Sequence, residues 1–435
     1  MSTLRGLSPL LAVLCIGCSK HYLVSYGHSP DRLRRFEVVE QAGRQHVVLD
    51  SSVSEPYRGV ALATIAFSSD SRHFAYAAET DSGWTVVLDG VPGRFWTGIG
   101  GVLFGPGDRR AYIVSDSSGW RVVVDGIVGG PHEAVMRGSL TFSADGSRIA
   151  YVAAEGDRFR VLVDGTEEPW YDGIRMLRFG PDGRLGYVGR RGLGLHVVLD
   201  GRTFGPFEAV ADYTIGPSGL LGMVVRRNGG WRALVDGTES EPFDNLGSVI
   251  FFGSGQFAYA AEQDGRWFVV RNGGRGTSYD RVRKLTAGGE SLFYEASVGE
   301  HVFVATDSAA GPLLEQVGRL SVGPDGSRVW YLGRPVGGVV SVFRDGEVAR
   351  VAPEAVLGTL VVSDGGEHWA YLALSGDRAG SAIMMDDGVR VPLDFEEMMG
   401  RVVAGEDLTV AGYEDMMRSW VEAELKIYLA PPPGL

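Results

Sequence analysis

One segment of this chain recurs along most of its length, and that recurrence limits what the chain can fold into more than its composition does. The clearest copy is Gly138–Ile174, GSLTFSADGSRIAYVAAEGDRFRVLVDGTEEPWYDGI. Its pattern predicts four short strands. Leu140–Phe142 is apolar and stops at a turn, Ser143–Gly146. Arg148–Ala153 runs to a second turn at Ala154–Asp157, and Phe159–Val163 ends at the tight turn Asp164-Gly165. The last segment, with Pro169-Trp170, is short and interrupted by proline, which suits an exposed edge strand. β-Branched and aromatic residues fill the strands while Gly, Asp and Ser fill the turns, as hairpins require.

Three columns carry the repeat. The first is a tyrosine in the second strand: Tyr76, Tyr112, Tyr151, Tyr187, Tyr259, Tyr294, Tyr331 and Tyr371, with Met223 in the slot between Tyr187 and Tyr259. Successive spacings run from 35 to 40 residues. The preceding residue is small in most copies (Ala75, Ala111, Ala150, Gly186, Gly222, Ala258, Ala370), and Phe293 and Trp330 depart from this. Large and small side chains in alternation let a twisted sheet pack closely on both faces. The second column is the Asp-Gly turn after the third strand, at Asp89, Asp125, Asp164, Asp200, Asp236, Asn272, Asp345 and Asp387, with Asp50 and Asp307 in phase but lacking the glycine. Five residues earlier an aromatic recurs at Trp84, Trp120, Phe159, Trp231 and Trp267. The third is the first turn, strongest at Phe67, Phe104, Phe142, Phe179 and Val322, with weaker copies at Ile215, Phe251, Leu285, Val362 and Val403.

Four strands in each 36–40 residues are the signature of a β-propeller blade. A single blade cannot bury both faces, so each needs neighbours. The ten marker turns from Asp50 to Asp387 predict an all-β chain of about ten four-stranded repeats. A ring usually holds four to eight blades, so the count implies two abutting propellers or one large ring, and the former fits that usual size better. No Pro- or Ser-rich linker marks a division.

The phrases Phe-Ser-Ala-Asp-Gly-Ser-Arg-Ile-Ala-Tyr and Phe-Gly-Pro-Asp-Gly-Arg resemble the repeat motif of bacterial WD-repeat-like propellers, the TolB-type class also found in the propeller domains of prolyl-oligopeptidase-type enzymes. The resemblance covers most of residues 21–430 and decays after Asp345. It implies a fold. Propellers host scaffolds, binding proteins and enzymes alike, so it does not imply an activity.

Residues 1–20 lie outside the repeat. A lone Arg5 precedes the apolar run Leu10–Ile16, too short to span a bilayer as a helix, and Gly17 then stands before Cys18. This resembles a bacterial lipoprotein signal, which implies cleavage before Cys18 and acylation of that residue. Cys15 stands where leucine is usual, and an ordinary secretory signal is the other reading. By the same resemblance, Ser19 after the cysteine favours the outer membrane over the inner. Residues 21–58 hold a degenerate repeat, with Phe36–Glu40 and His46–Asp50 as strands two and three, that forms a blade or lends a strand to the last one. Tyr413–Lys426 carries both helix and strand features, and residues 431–435 form a Pro-rich tail.

Composition narrows the partners. A net charge of −13 argues against nucleic acid. No Gly-x-Ser-x-Gly elbow, His-Glu-x-x-His pair, cysteine cluster or phosphate-binding glycine loop beside a helix occurs in these residues. The eight histidines lack metal-ligand spacing; His46 and His196 share a repeat phase, as any polar strand residue can. The recurrent aspartates read as turn formers, because such turns need positive φ and a side chain that bonds backbone. No metal, cofactor or catalytic set is therefore expected. The turns between strands two and three are mostly acidic or neutral, except for Arg190-Arg191 and Arg226-Arg227, one period apart. On this fold the two pairs share a face of neighbouring blades, as an anion-binding patch or as solvated loops of an arginine-rich chain. The leading expectation is a non-enzymatic, membrane-anchored interaction or scaffold lipoprotein of the cell envelope with a protein partner. The alternatives are a binding protein for a small ligand, peptide or glycan, and a hydrolase or lyase whose site is assembled from several blades.

Overall fold

The computed structural model describes residues 21–31, 33–306, 309–323, 325–363, 366–374 and 382–392, together with Arg418, Val421, Glu422 and Leu425. Cys18 and the rest of residues 1–20, the marker Asp307, the weak first turn at Val403 and the tail 431–435 lie outside the described residues.

The described residues form antiparallel sheets in which consecutive strands lie side by side. The fold is all-β, and its repeating unit is a four-stranded propeller blade. The chain divides into two units, Met1–Arg178 and Phe179–Leu435. In the first, blades occupy 21–53, 59–96, 98–128 and 134–167. Residues 21–53 are a full blade, in which His21–His28 pairs with Arg35–Gln41, so this degenerate repeat has four strands of its own. The second unit opens within the strand Gly173–Phe179 and continues through blades with markers Asp200, Asp236, Asn272, Asp345 and Asp387. Between Asn272 and Asp345 lies the Tyr294 blade, joined to the Asp345 blade through Leu314–Val317 in one larger sheet. The motif that decays after Asp345 still builds four strands, over 361–392.

The second strand is buried on both faces, as in Phe74–Thr80, Ile149–Glu155 and Leu185–Arg191, where the first five residues are all buried. That explains its run of apolar residues without alternation. The small residue before each tyrosine makes room for the next blade. A Cβ at Gly186 would stand 2.6 Å from the Tyr213 ring, and one at Gly222 would stand 2.7 Å from Val249.

The Asp-Gly column is a two-residue hairpin turn. From Asp89 to Asp345 its first residue has φ of 44° to 54° and its glycine 77° to 87°, which matches the twist of the flanking strands. The aspartate also has a longer-range task. Its Oδ1 accepts the backbone N–H that opens the second strand: Phe74 to Asp89 at 2.9 Å, Arg110 to Asp125 at 2.9 Å and Ile149 to Asp164 at 2.8 Å. Asn272 accepts from Phe257 in the same way at 3.0 Å. Asp125→Ala will therefore cost roughly 1–3 kcal/mol, by losing the hydrogen bond to the Arg110 N–H and by placing alanine at a φ of 50°. Asp125→Asn will cost under about 1 kcal/mol, since it loses only the exposed ion pair with Arg109. Urea unfolding of both variants checks the order. In the first turn, hydrogen bonds from Ser143 and from Ser147 bring the Asp145 carboxyl down to about 2.

A fourth column joins the blades. After the edge strand the chain pairs once more through an aromatic that faces the third-strand aromatic, and two residues later it starts the next blade. Trp84 pairs with Trp96, and isolated bridges join Trp120 to His132, Phe159 to Tyr171, Trp231 to Phe243 and Trp267 to Tyr279. These link residues pack on the tyrosine of the blade they enter: ring centroids lie 6.0 Å apart for Tyr57 and Tyr76, 5.8 Å for His132 and Tyr151, and 6.0 Å for Tyr279 and Tyr294. The predicted edge strand with Pro169-Trp170 is accordingly different. Its strand is Thr166–Glu167, and the chain pairs again only at Tyr171, past the proline.

Near the other end, Arg418, Val421, Glu422 and Leu425 are helical. Val421 and Leu425, one turn apart, pack on Val361, Leu372 and Ile383 of the last blade. No helix among the described residues is long and apolar enough to cross a membrane.

Candidate functional site

The predicted arginine pairs stand at strand ends rather than in the turns. Arg190 and Arg191 close Leu185–Arg191, and Arg226 and Arg227 close Leu221–Arg227. Their register is the same, with Arg190 opposite Leu195 and Arg226 opposite Trp231. Successive strand residues point to opposite faces, so each pair sends one guanidinium to either side of its blade. Arg227 donates to Glu239 at 2.9 Å and lies over the Phe207 ring at 5.2 Å, while Arg226 donates to the Gly229 carbonyl at 3.3 Å. Glu239 also pairs with Arg232 at 3.2 Å.

His46 and His196 occupy equivalent third-strand positions, opposite Val39 and Gly189. His46 Nδ1 lies 3.1 Å from the Ser54 carbonyl, and burial followed by the charge of Arg191 holds His196 below the ordinary histidine pKa. Among the described residues no group of three or more His, Cys, Asp or Glu could hold a metal ion.

A cavity of about 750 Å³ opens in the second unit where the Tyr294 and Asp345 blades meet. Its origin is a bulge in the strand Arg281–Gly288. Arg283 pairs with Glu295 and Thr286 with Phe293, which leaves Lys284 and Leu285 opposite a single residue. Lys284 takes a φ of 51°, uncommon for a long side chain, and this turns it toward the next blade. Its Nζ lies 2.7 Å from Glu295 Oε2 and donates to the Gly318 carbonyl at 3.0 Å and to that of Val317 at 2.5 Å. The ammonium is thus held by two hydrogen bonds and one ion pair. Glu295 is buried, and its carboxylate is tolerated there because the ammonium accompanies it.

The rim of this cavity carries Arg283 and Arg319, both exposed and 36 residues apart; Arg283 lies in the strand Arg281–Gly288, and Arg319 between Leu314–Val317 and Ser321–Val322. Glu315, also in the lining, accepts the Gly337 N–H at 2.9 Å. Arg283, Lys284 and Arg319 against Glu295 and Glu315 leave the cavity at +1 on a chain of −13. Guanidinium forks beside a tied lysine can hold a carboxylate or phosphate with paired hydrogen bonds. The 36-residue spacing that relates Arg190 to Arg226 also relates Arg283 to Arg319.

No family model matches this chain, and no curated protein matches it. Among solved structures it is similar to one described as that of the eukaryotic initiation factor, at 10% identity and a TM-score of 0.42, over 73% of this chain and 94% of that one. It is also similar to the Dos1 propeller, at 10% identity and a TM-score of 0.30, over 76% and 92% of the two chains. The β-propeller domain of the Trilobed protease from Pyrococcus furiosus is 12% identical with a TM-score of 0.27, over 77% and 97%. The blade assignment rests on the strands and turns described above.

Proposed function

We propose that this chain is a non-enzymatic interaction module, a TolB-type propeller lipoprotein held in the bacterial cell envelope, outer membrane included, through a lipid on Cys18. It recognises an anionic group of a protein partner through the cavity rimmed by Arg283 and Arg319. The observation that carries this reading is the state of Lys284. The cavity's one amine is committed to Glu295 and two carbonyls, so it serves as a fixed strut and not as a nucleophile, and the guanidiniums at the mouth are suited to recognition. Arg190, Arg191, Arg226 and Arg227 extend the basic character of the same unit toward an acidic partner.

Crosslinking in membranes, with mass spectrometry of the captured proteins, tests both parts. A near-stoichiometric partner should be captured by the wild type, lost in Arg283→Gln/Arg319→Gln, and weakened as salt rises. Cys18→Ser should release the protein from membranes. Capture that persists unchanged in the double arginine variant removes the cavity from the reading, and a hydrolytic activity abolished by a single polar substitution overturns the non-enzymatic assignment.

A further inference from the structure

The residue just before the second strand is a cation in several blades, and there it fastens its blade to the next. Arg34 Nε donates to Asp50 at 3.2 Å and its Nη1 to the Arg72 carbonyl at 3.0 Å. Arg109 repeats this with Asp125 at 2.8 Å and the Gly146 carbonyl at 2.6 Å. Both guanidiniums rest over an aromatic ring of the following blade, Phe67 at 5.9 Å and Phe142 at 5.1 Å. His73 plays the part with Asp89 at 2.7 Å and Asp108 at 3.5 Å. Arg184 lies so close over the next turn that a Cβ at Gly219 would fall 0.8 Å from its Nη2. In the Asn272 blade, Gln256 shares the task with Arg271, which donates to Gln256 at 2.6 Å and to the Glu290 carbonyl at 2.9 Å.

In the Asp236 blade this position is Leu220, whose side chain has no donor. Among the described residues no hydrogen bond or ion pair reaches the Asp236 carboxylate, although other marker carboxylates are engaged. A cavity of about 510 Å³ lies here, lined by Leu220, Asp236, Gly255, Phe243, Phe257 and Tyr259 among others. Gly255 stands one residue before the clamp position of its blade, where Arg72 and Ser147 offer carbonyls to the cations of their preceding blades. Phe251 holds the place of Phe67 and Phe142 in the repeat. The other two carboxylates of the lining are already paired, Glu239 with Arg227 and Arg232 and Glu241 with Arg275 at 2.6 Å, so the charge left to answer is that of Asp236.

We propose that this cavity is a binding slot for an alkyl guanidinium supplied by another molecule, an arginine side chain of a peptide or protein segment, which takes the place of the internal cation missing at Leu220. The blades with Arg34 and Arg109 are its template. A carboxylate at the marker position, backbone carbonyls of the next turn and an aromatic ring are the surroundings the chain itself gives a guanidinium, and only the guanidinium is missing here. This slot is independent of the Arg283 cavity and opposite to it in charge preference.

Calorimetry or chemical-shift titration with a short capped peptide containing one arginine tests it, alongside the same peptide with citrulline or lysine, and agmatine. The arginine peptide should bind saturably and at least about tenfold more tightly than the citrulline peptide, because citrulline keeps the shape and loses the charge. Asp236→Asn should weaken it by about tenfold or more. Leu220→Arg should abolish binding and raise the unfolding temperature, since the chain then fills its own slot. Agmatine binding as well as the peptide assigns the slot to a free guanidine, and a tighter peptide assigns it to a protein segment. Equal binding of the arginine and citrulline peptides, no saturation by about 10 mM, or undiminished binding in a folded Leu220→Arg or Asp236→Asn variant overturns the proposal.

Discussion

Tyr331→Ala will lower the stability of this protein by roughly 3–5 kcal/mol, whereas Tyr331→Phe will leave it unchanged or raise it by about 1 kcal/mol. The ring of Tyr331 is fully buried and stacks on Phe343, with centroids 5.1 Å apart and planes 6° from parallel. Phe293, Val304, Leu314 and Val329 close around it. Truncation to alanine would leave a void that the surrounding strands cannot close, since each is held by its pairing register. The hydroxyl is a different matter. It is buried with no hydrogen-bond partner, and burial holds its pKa well above the ordinary tyrosine value. Removing it takes away an unsatisfied polar group and little packing. Denaturant midpoints of the two variants measure the effect; a Tyr331→Phe variant clearly weaker than the parent would mean that the hydroxyl is satisfied after all.

Gly326→Ala will cost about 3 kcal/mol or more, and Gly183→Ala only about 1–2 kcal/mol. Both glycines occupy the first turn of a blade with positive φ, 68° and 78°, so both substitutions carry the strain of a left-handed backbone. Their surroundings differ. A Cβ at Gly326 would lie 1.7 Å from the Gly288 carbonyl oxygen, whereas nothing stands within 4 Å of one at Gly183. Backbone cannot rotate away as a side chain can, so the turns of the Tyr294 and Asp345 blades would have to part. The difference between the two variants isolates that contact from the φ strain, and equal losses would show that the turns do not need to touch.

Much of this architecture is legible in the sequence because each blade needs the same side chains at the same places. The small residues recur since each lets the next blade approach beside a buried tyrosine, and the aspartates recur since one residue must both turn the chain and cap the second strand. The link aromatics escaped that reading. Tyr57, Phe243 and Tyr279 serve two blades at once, and the last strand of a repeat that begins at Gly138 is drawn across Pro169 when pairing resumes only at Tyr171. The helical character of Val421 and Leu425 depends on a surface in the last blade, which a local pattern does not display.

Legibility of the sites follows the same logic. Arg190 and Arg226 stand out because they break an acidic trend. Arg283 and Arg319 have equal spacing but sit among alternating polar and apolar residues, where an arginine attracts no notice. Lys284 becomes informative only once its backbone is seen to turn left-handed and its ammonium to be spent on three oxygens. Leu220 is harder still, being an ordinary residue whose meaning lies in the Arg34 and Arg109 it replaces.

The brevity of the joins between blades bears on how such a chain changes over generations. With one residue between a link aromatic and the next first strand, there is no spacer there in which a foreign segment could settle without pulling that aromatic off its tyrosine. Lengthening by duplication must then copy a whole period, with the turn aspartate, the link aromatic and the fastening cation inherited together. Novelty enters instead by single replacements inside a copied period. Each one alters a single seam while its neighbours keep the ancestral fastening, so one lineage can collect several unlike recognition sites on one repeated frame.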